Sequence, residues 1–362
     1  MKQPSVRATP RRGADAAASG ARNPPVAAVA AASAPAVRHL LVDDSSEGQR
    51  LDNFLLRQLK GVPKTHVYRV IRSGEVRVNK GRAAADTRLA IGDDVRVPPV
   101  RVSAPAADGA AGDAPAREFP IVFEDEFLLA IDKPAGVAVH GGSGVSSGVI
   151  EQLRQARPGA RFLELVHRLD KETSGLLLIA KKRSALLALQ EQFRQRSSEQ
   201  PMAKVYAALV AGTWPARHKV IDQALHKYLD AAGERRVRAV AADHADGRRS
   251  ITLVRVARQL PGFSLLEVSL KTGRTHQIRV HLAGAGHVIA GDDKYGDFAL
   301  NKALARGTAV KGCRFDRMFL HAAKLQLRHP ASGEPLELAA PLPPECEALL
   351  AALAAAPAGV AQ

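Results

Sequence analysis

The sequence predicts an α+β fold, in which helices pack on a largely antiparallel, mixed sheet and a small helical and hairpin domain precedes it. Short β-branched segments separated by turns, such as residues 204–210, 250–256 and 263–270, fill much of the second half. Helical spacing of apolar residues is confined to a few places, and no internal repeat is visible. Two stretches of biased composition mark the boundaries: residues 1–38 precede the small domain, and residues 103–117 separate it from the large one.

The first segment, residues 1–38, is rich in Ala, Pro, Ser and Arg, and Asp15 is its only acid. Because it has too little apolar surface to bury, we predict a disordered basic tail that binds RNA weakly. An organelle transit peptide has a similar composition, but prolines such as Pro24 and Pro25 would break the helix it needs. The predicted organisation is a tail (1–38), a small domain (48–102), a linker (103–117), a large domain (118–351) and a flexible carboxyl end (352–362).

The small domain is predicted from two amphipathic helices and a hairpin. Apolar residues at helical spacing lie within residues 51–59 and again within 67–71, before Gly74. Val76 and Val78 then alternate with charged residues and lead into a turn at Asn79. A last short strand at 95–97 ends before two prolines.

The large domain is predicted to open with two strands and a turn, and to continue mainly as strands. Ser184 is a candidate cap for a helix that contains Leu186, Leu189 and Phe193. The predicted strands lie at residues 121–123, 128–131, 176–180, 204–210, 250–256, 263–270 and 277–281.

The charge balance narrows the function classes. A formal net charge of +16 and a pI near 10.2 indicate a polyanionic partner, although a merely soluble basic protein or a lipid-binding one has the same signature. No long apolar stretch predicts a membrane span or a signal peptide. Only Cys313 and Cys346 are present, which excludes a disulfide framework and a cysteine-built zinc site and favours a reducing cytosol.

One polar loop carries the strongest signal. Residues 167–175 read His-Arg-Leu-Asp-Lys-Glu-Thr-Ser-Gly, and the apolar run at 176–180 follows at once. That run predicts a buried strand, so Asp170 is a carboxylate mounted on a rigid support, as a nucleophile or an acid/base would be. Taken alone, a turn with a salt bridge explains such a loop better.

Further stretches are candidates to meet this loop. Tyr206 is a lone tyrosine in an otherwise apolar strand, although a tyrosine at the sheet rim with its hydroxyl in water is the commoner case. If residues 277–281 form a strand, Gln277, Arg279 and His281 share a polar face. A glycine-rich loop follows at 285–296.

Metal and cofactor chemistry has little support. His276, His281, His287 and His321 cluster in sequence, but the first two fall on opposite faces of the predicted strand, so we predict no metal site. The chain has no phosphate loop that ends in Gly-Lys-Ser/Thr and no dinucleotide-binding glycine turn.

Residues 167–177 resemble the central motif of the RNA pseudouridine synthases that modify ribosomal and transfer RNA. Residues 204–206 and 273–281 resemble other motifs of that family's large-subunit branch, and residues 67–80 resemble an S4-type RNA-binding domain. The resemblance extends roughly from residue 41 to 343. It implies an enzyme that isomerises specific uridines of large-subunit (23S) ribosomal RNA and uses no cofactor.

The resemblance also implies residue roles. Asp170 matches the nucleophile, Arg279 the buried arginine that keeps it charged, and Tyr206 the stacking surface and possible base. Arg168 would fill the space that the flipped base leaves, although a plain ion pair with Glu164 or Asp170 is the structural alternative. The other implied substrate-binding residues are His167, Arg274 and Ile278.

The S4-like segment implies phosphate contacts, although a charge run is more often a solvated face. Its candidate contact residues are Lys64, Arg69, Arg72, Lys80 and Arg82. The expected partner is 23S ribosomal RNA, free or in early assembly particles. We expect a cytoplasmic monomer that does not bind a membrane.

Two other functions stay open at this point. A non-catalytic RNA-binding or ribosome-assembly protein would use the same basic surface without needing Asp170. A glycosidase-like hydrolase would pair Asp170 with Glu172, but sequence fixes no separation between these carboxylates. The modified uridines, and whether Asp170 attacks C6 or C1′ or removes a sugar proton, are not determined by the sequence.

Overall fold

A computed structural model of the chain describes residues 36–43, 46–59, 62–100, 114–141, 147–194, 202–230 and 234–356. Nearly all of the predicted tail, most of the predicted linker and the last six residues of the predicted carboxyl end lie outside these ranges.

The amino-terminal part is a four-stranded antiparallel sheet with two helices and its own apolar core. Phe54 and Leu55 of the first helix and Val67 and Val70 of the second enter that core, which explains their helical spacing. Asn79 and Lys80 adopt positive φ of 49° and 68°, which a tight hairpin turn requires. Its elements are β1 (Arg38–Leu41), α1 (Leu51–Gln58), α2 (Lys64–Arg72), β2 (Arg77–Val78), β3 (Gly81–Arg82) and β4 (Asp94–Val97), with the strands in the order β1-β4-β2-β3.

The larger part contains most of the strands and five helices of the described chain. In chain order its first elements are β5 (Ile121–Glu124), β6 (Leu128–Lys133), α3 (Val149–Ala156), β7 (Glu164–Leu165), β8 (Ser174–Ala180), α4 (Arg183–Arg194) and β9 (Ala203–Ala211). There follow β10 (Val220–Asp222), β11 (Ala224–Leu229), β12 (Arg235–Val240), β13 (Ile251–Leu260), β14 (Phe263–Leu270) and α5 (Gln277–Gly284). The last are α6 (Phe298–Arg306), β15 (Leu320–Arg328), β16 (Pro335–Ala339) and α7 (Pro344–Ala355).

A ten-stranded mixed sheet organises this part, in the order β10-β13-β14-β9-β15-β8-β6-β5, with β16 beside β15 and β7 beside β8. Strands β8 and β15 pair in parallel, while every other strand pair in the described residues is antiparallel. The predicted α+β fold with a largely antiparallel, mixed sheet is therefore confirmed. Strands β11 and β12 form a separate two-stranded arm.

The sheet carries one apolar core on each face. Along the fully buried strand β8, Leu177 and Ile179 enter one core, and Leu176 and Leu178 enter the other. This alternation follows from the two-residue period of a strand. Helix α4 packs in the second core, whereas α3 and α5 pack in the first, which also contains Tyr206.

Residues 277–281 are helical, so the strand predicted there is wrong. The alternating sequence Gln-Ile-Arg-Val-His fits a strand, but Ile278 and Leu282 are four residues apart and both enter the core. The polar positions are buried too, because Gln277 donates to the Ile251 carbonyl (3.0 Å) and His281 Nδ1 bonds the Thr252 hydroxyl (2.8 Å). Because these buried polar side chains hydrogen-bond to a strand, the segment lacks the apolar pattern that would have predicted a buried helix.

Other differences are smaller. Ser184 is the second residue of α4 and does not precede it, so the predicted cap lies two residues beyond the cap position, Lys182. The sequence analysis did not predict α3, α6, α7 or the β11–β12 arm. In the described residues, no helix is both long and apolar enough to span a membrane. Both cysteines are buried and free.

Gly175 is where the loop of Asp170 enters the sheet. It pairs with Ala322 across the parallel strands and has a φ of +106°. A Cβ at this position would lie 2.4 Å from the Ala322 carbonyl oxygen and 2.6 Å from its nitrogen. Neither atom can move without breaking the sheet, so the position requires glycine.

We predict that Gly175→Ala lowers the free energy of unfolding by about 3 kcal/mol, since backbone strain and a backbone clash add together. Thermal unfolding followed by circular dichroism measures the loss. Gly159→Ala is the matched control, because a Cβ there meets nothing within 4 Å. Equal midpoints for the two variants would contradict the assignment.

Candidate active site

Asp170 lies in the loop between β7 and β8, and backbone contacts hold that loop on the sheet. The Asp170 carbonyl accepts the Thr173 N–H (3.1 Å), which closes a turn, and the Lys171 carbonyl accepts the Gly136 N–H (3.0 Å). Leu169 is buried in the same core as Tyr206. The carboxylate therefore projects from an anchored backbone, as the sequence predicted for this loop.

Lys133 is a further anchor, which the sequence analysis missed. It has no exposed surface, and its ammonium donates to the carbonyls of Pro134 (2.8 Å), Val137 (2.8 Å) and Lys171 (3.1 Å). Burial lowers the pKa of Lys133 to about 7, but three carbonyl acceptors favour its charged form. The lysine thus ties the turn after β6 to the Asp170 loop. The one feature of the sequence that could have indicated this role is that the lysine lies between an apolar strand and a proline.

Two cationic or polar side chains face the Asp170 carboxylate. Its Oδ2 lies 3.8 Å from His276 Nε2 and 3.8 Å from Arg279 Nη1. The Asp170 side chain is 21% exposed, whereas that of Arg279 is 5% exposed. A substrate can therefore approach the carboxylate from solvent, while the arginine stays enclosed behind it.

Arg279 has a closer partner than Asp170. Its guanidinium makes two hydrogen bonds to Asp292, of 2.8 and 2.5 Å, and a third to Asp293 (3.3 Å). Asp292 is 1% exposed and also accepts the Tyr295 N–H (3.0 Å). Burial would raise the pKa of Asp292, but the hydrogen bond and charge of Arg279, together with the N–H groups of Tyr295 and Lys294, leave that pKa below its usual range. The predicted contact between Arg279 and Asp170 is present, but Asp292 fixes the arginine.

Tyr206 lies on β9 and is 8% exposed, in one core with Ile278 and Leu169. The alternative of a tyrosine at a wet sheet rim does not fit this burial. Burial raises the pKa of Tyr206, and the negative charge of Asp170 raises it further. The phenol therefore stays protonated near neutral pH, which favours a surface for stacking over a general base.

Arg168 and Arg274 are exposed near the site. Arg168 forms no ion pair within the described part of the chain, and Glu164 pairs instead with Arg154 (3.0 Å). The structural alternative for Arg168, an ion pair with Glu164 or Asp170, is thus absent there. Arg274 lines a cleft at the β11–β12 arm, together with Thr275, His226, Lys227 and Arg248.

His167 lies apart from this group. Its ring stacks on Phe193 of α4 (centroids 4.9 Å apart), and its Nε2 accepts the Leu178 N–H (3.1 Å). Burial, helped by the charge of Lys204, lowers the pKa of His167 to about 3, so the ring is neutral. These contacts join α4 to β8, and they give no support to the predicted role in substrate binding.

The four histidines considered for metal binding do not form one site. His276 bonds Tyr295, His281 bonds Thr252, and the other two bond different groups again. The earlier reason, opposite faces of a strand, was wrong because the segment is a helix.

A different group in the described residues, His226, His244 and Asp246, has ligand atoms within 4.8 Å of one another. Lys227, Arg248 and Arg274 line the same cleft, and their charges oppose a divalent cation. The absence of a metal site stays a prediction.

Comparison with known proteins shows which family the chain belongs to. An RNA pseudouridylate synthase family model matches residues 127–284, and an S4 domain model matches residues 49–95. Over 322 residues the chain is 48% identical to the ribosomal large subunit pseudouridine synthase C of Pasteurella multocida, covering 88% of this chain and 94% of that protein. The chain belongs to the RNA pseudouridylate synthase family.

The enzyme of the same name from Escherichia coli K12 is 47% identical over 311 residues, covering 85% of this chain and 94% of that enzyme. Among solved structures, human RNA pseudouridylate synthase domain containing 4 is 28% identical with a TM-score of 0.52, covering 65% of this chain and 92% of that one. Human RNA pseudouridylate synthase domain containing 1, at 24% identity and a TM-score of 0.50, shares the fold. The predicted family and the S4-like domain are therefore confirmed.

The buried pair of Arg279 and Asp292 predicts a stability effect. Arg279→Met should lower the free energy of unfolding by about 3–5 kcal/mol, because it leaves Asp292 buried without its cation. Adding Asp292→Asn should restore part of the loss, since no buried charge then remains. Chemical denaturation of Arg279→Met, Asp292→Asn and the double variant measures this coupling.

Arg255→Met is the control. Arg255 pairs with Glu267 on the surface, where its side chain is 72% exposed, and its loss should shift the unfolding midpoint little. If Arg279→Met is as harmless as this control, or if Asp292→Asn adds a full second penalty, the proposed dependence of Asp292 on Arg279 is wrong.

Proposed function

We propose that this enzyme converts specific uridines of large-subunit ribosomal RNA to pseudouridine, with Asp170 as the nucleophile. The reaction breaks the bond from N1 of uracil to C1′, forms a bond from C5 to C1′, and moves one proton from C5 to N1. Atoms and electrons balance within the nucleotide, so the chemistry requires no cofactor. The ribosomal substrate is the one named for the Pasteurella and Escherichia relatives.

One observation carries the catalytic proposal. The carboxylate of Asp170 is partly exposed on an anchored loop. Arg279 and His276, which are more enclosed, both have a nitrogen 3.8 Å from its Oδ2. The guanidinium thus places a positive charge beside the carboxylate that we propose as the nucleophile. A hydrolase that pairs Asp170 with Glu172 has weaker support, because Glu172 contacts the Lys171 ammonium (3.8 Å) and lines a different cleft.

The remaining groups suit a flipped pyrimidine. Tyr206 and Ile278 belong to the same apolar core, and we propose that they hold the uracil ring. Arg168 is exposed, and its planar guanidinium can occupy the gap that the base leaves in the RNA. Arg274 is exposed at the adjoining cleft and is proposed to contact the RNA backbone.

The S4-like part supplies a basic surface for RNA. Its five predicted contact residues, Lys64, Arg69, Arg72, Lys80 and Arg82, are all exposed. Arg82 donates to the Ser73 carbonyl (3.2 Å), which orients its guanidinium over Gly74. We propose that these side chains bind phosphates and so fix the register of the enzyme on structured RNA.

The organisation and setting of the enzyme are part of the proposal. The S4-like domain is assigned to residues 48–102, the linker to 103–117 and the catalytic domain to 118–351, between a basic tail (1–38) and a short carboxyl segment (352–362). We propose a cytoplasmic monomer that acts on 23S ribosomal RNA, free or in early assembly particles. Its charge of +16 suits that partner.

Asp170→Asn should bind RNA as tightly as the wild type and form no pseudouridine, because an amide of the same shape cannot act as the nucleophile. The assay uses in vitro transcribed 23S RNA labelled with tritium at C5 of uracil, since isomerisation releases that tritium. A filter-binding titration with the same RNA gives the affinity.

Glu172→Gln is the matched control in the same loop and should keep its activity. Retained tritium release by Asp170→Asn would remove the assignment of the nucleophile. Release of free uracil by the wild type would favour the hydrolase, and a wild type without any reaction would favour a binding protein.

Salt dependence tests the S4-like surface. Each lost phosphate contact should reduce the slope of log affinity against log salt by about 0.7–0.9, so Lys64→Ala and Arg72→Ala should each flatten it. Tyr206→Phe, which removes no charge, should leave the slope unchanged. Wild-type slopes for both charge variants would place RNA binding elsewhere.

A further inference from the structure

His276 occupies an unusual backbone position beside Asp170. It precedes α5 with φ 53° and ψ 19°, a left-handed backbone conformation that is uncommon for residues other than glycine. Such conformations persist where surrounding contacts hold them, and they are common at functional sites. Here the conformation places His276 Nε2 toward Asp170 Oδ2, at 3.8 Å, with 16% of the side chain exposed.

Tyr295 determines which nitrogen of His276 carries the hydrogen. The Tyr295 hydroxyl accepts the backbone N–H of Val237 (3.1 Å) and lies 2.8 Å from His276 Nδ1. A hydroxyl that accepts the Val237 N–H completes its hydrogen bonding by donating its own hydrogen to Nδ1. In this arrangement the hydrogen of a neutral His276 ring lies on Nε2, which faces Asp170. Burial lowers the pKa of His276, although Asp170 opposes that effect, and this favours the neutral ring.

Tyr295 also contacts the second group that faces Asp170. The Arg279 guanidinium carbon lies 5.1 Å from the centre of the Tyr295 ring, and the Tyr295 N–H donates to Asp292, which holds that guanidinium. One residue thus orients both His276 and Arg279. The glycine-rich loop at residues 285–296 of the sequence supplies it.

Val237 connects this network to the β11–β12 arm. It lies on β12, and its side chain packs with Leu225 of β11 and with Tyr295 and Val280. The arm is separate from the main sheet, and its cleft is lined by three basic side chains and one acidic one, which are Lys227, Arg248, Arg274 and Asp246. RNA phosphates bound in that cleft would therefore contact the arm, whose strand β12 is hydrogen-bonded to Tyr295 through Val237.

We propose that His276 and Tyr295 are positioning residues for the isomerisation, in which His276 Nε2–H orients the Asp170 carboxylate and Tyr295 links that orientation to RNA bound against the β11–β12 arm. This inference rests on the proposed function of Asp170. At 3.8 Å the donor and carboxylate are just beyond hydrogen-bond distance, so closure of the arm on RNA needs to move them by less than 1 Å. A displacement of that size is enough to change a rate about a hundredfold.

His276→Gln and His276→Asn separate this role from a structural one. The amide nitrogen of Gln reaches the position of Nε2, and that of Asn does not. Asn tolerates the left-handed backbone better than Gln. A donor role therefore predicts that Gln keeps the faster reaction, whereas a role in backbone geometry alone predicts that Asn does.

The measurement is the single-turnover rate of tritium release from C5-labelled 23S transcript, together with the affinity for that RNA. We expect His276→Asn to lose about a hundredfold in rate with near wild-type affinity, and His276→Gln to lose about tenfold or less. Equal rates for the two variants, a faster Asn variant, or a wild-type rate for Asn would overturn the proposal.

Tyr295→Phe tests the link to the arm, because it keeps the ring beneath Arg279 and removes the hydroxyl. It should slow the reaction, and combining it with His276→Asn should cost no more than His276→Asn alone. Tyr228→Phe makes the same change at a tyrosine of β11 and should react like the wild type. Additive losses in the double variant would show that the two residues act independently and would overturn the link.

The tautomer gives a test that needs no turnover. Nitrogen NMR of the wild-type chain with labelled histidine, assigned by the missing signal in His276→Gln, should show His276 protonated on Nε2 only. Protonation on Nδ1 would overturn the proposal even if the variants fold poorly. If the wild type releases no tritium, the proposed function is wrong. The NMR result does not depend on turnover, so it tests the tautomer of His276 separately.

Discussion

The enclosed pair of Arg279 and Asp292 is the constraint on which the site depends. Two hydrogen bonds fix the guanidinium at 5% exposure, and its remaining edge faces Asp170 at 3.8 Å. A buried cation is stable only with a partner, and a buried carboxylate likewise. Because Asp292 satisfies the arginine from inside, Asp170 stays free on the solvent side. The guanidinium places its charge beside Asp170 without a direct hydrogen bond to that carboxylate.

The sheet supplies the rigidity that this arrangement needs. Gly175 brings β8 against the backbone of β15, and Lys133 ties the turn after β6 to the Asp170 loop through three carbonyls. These contacts involve backbone atoms, so they fix the loop whatever its exposed side chains do. Tyr206 lies on β9, two strands from β8, in the core that those strands share. Positions that are far apart in sequence, such as Leu169 and Tyr206, are thereby held in one core.

Much of the site could be predicted, because its motifs are local. The loop at residues 167–175, the tyrosine strand and the arginine segment are continuous in sequence, and the family comparison agrees with the resemblance they carry. His167 shows the limit of that approach. It belongs to the same motif as Asp170, but the chain bends at residues 166–167, and its ring contacts Phe193 and the Leu178 N–H.

By itself, the sequence determined the fold class, the basic RNA-binding part and the position of Asp170, since hydrophobic period, charge and contiguous motifs are properties of short segments. Only the tertiary structure decided that residues 277–281 are helical, because the polar residues that imitate a strand are buried and bonded to Ile251 and Thr252. It alone also decided that Asp292, Tyr295 and Lys133 support the site. Asp292 and Tyr295 bond side chains 13 and 19 residues away, and Lys133 bonds backbone carbonyls, and neither kind of contact carries a signal in a single sequence.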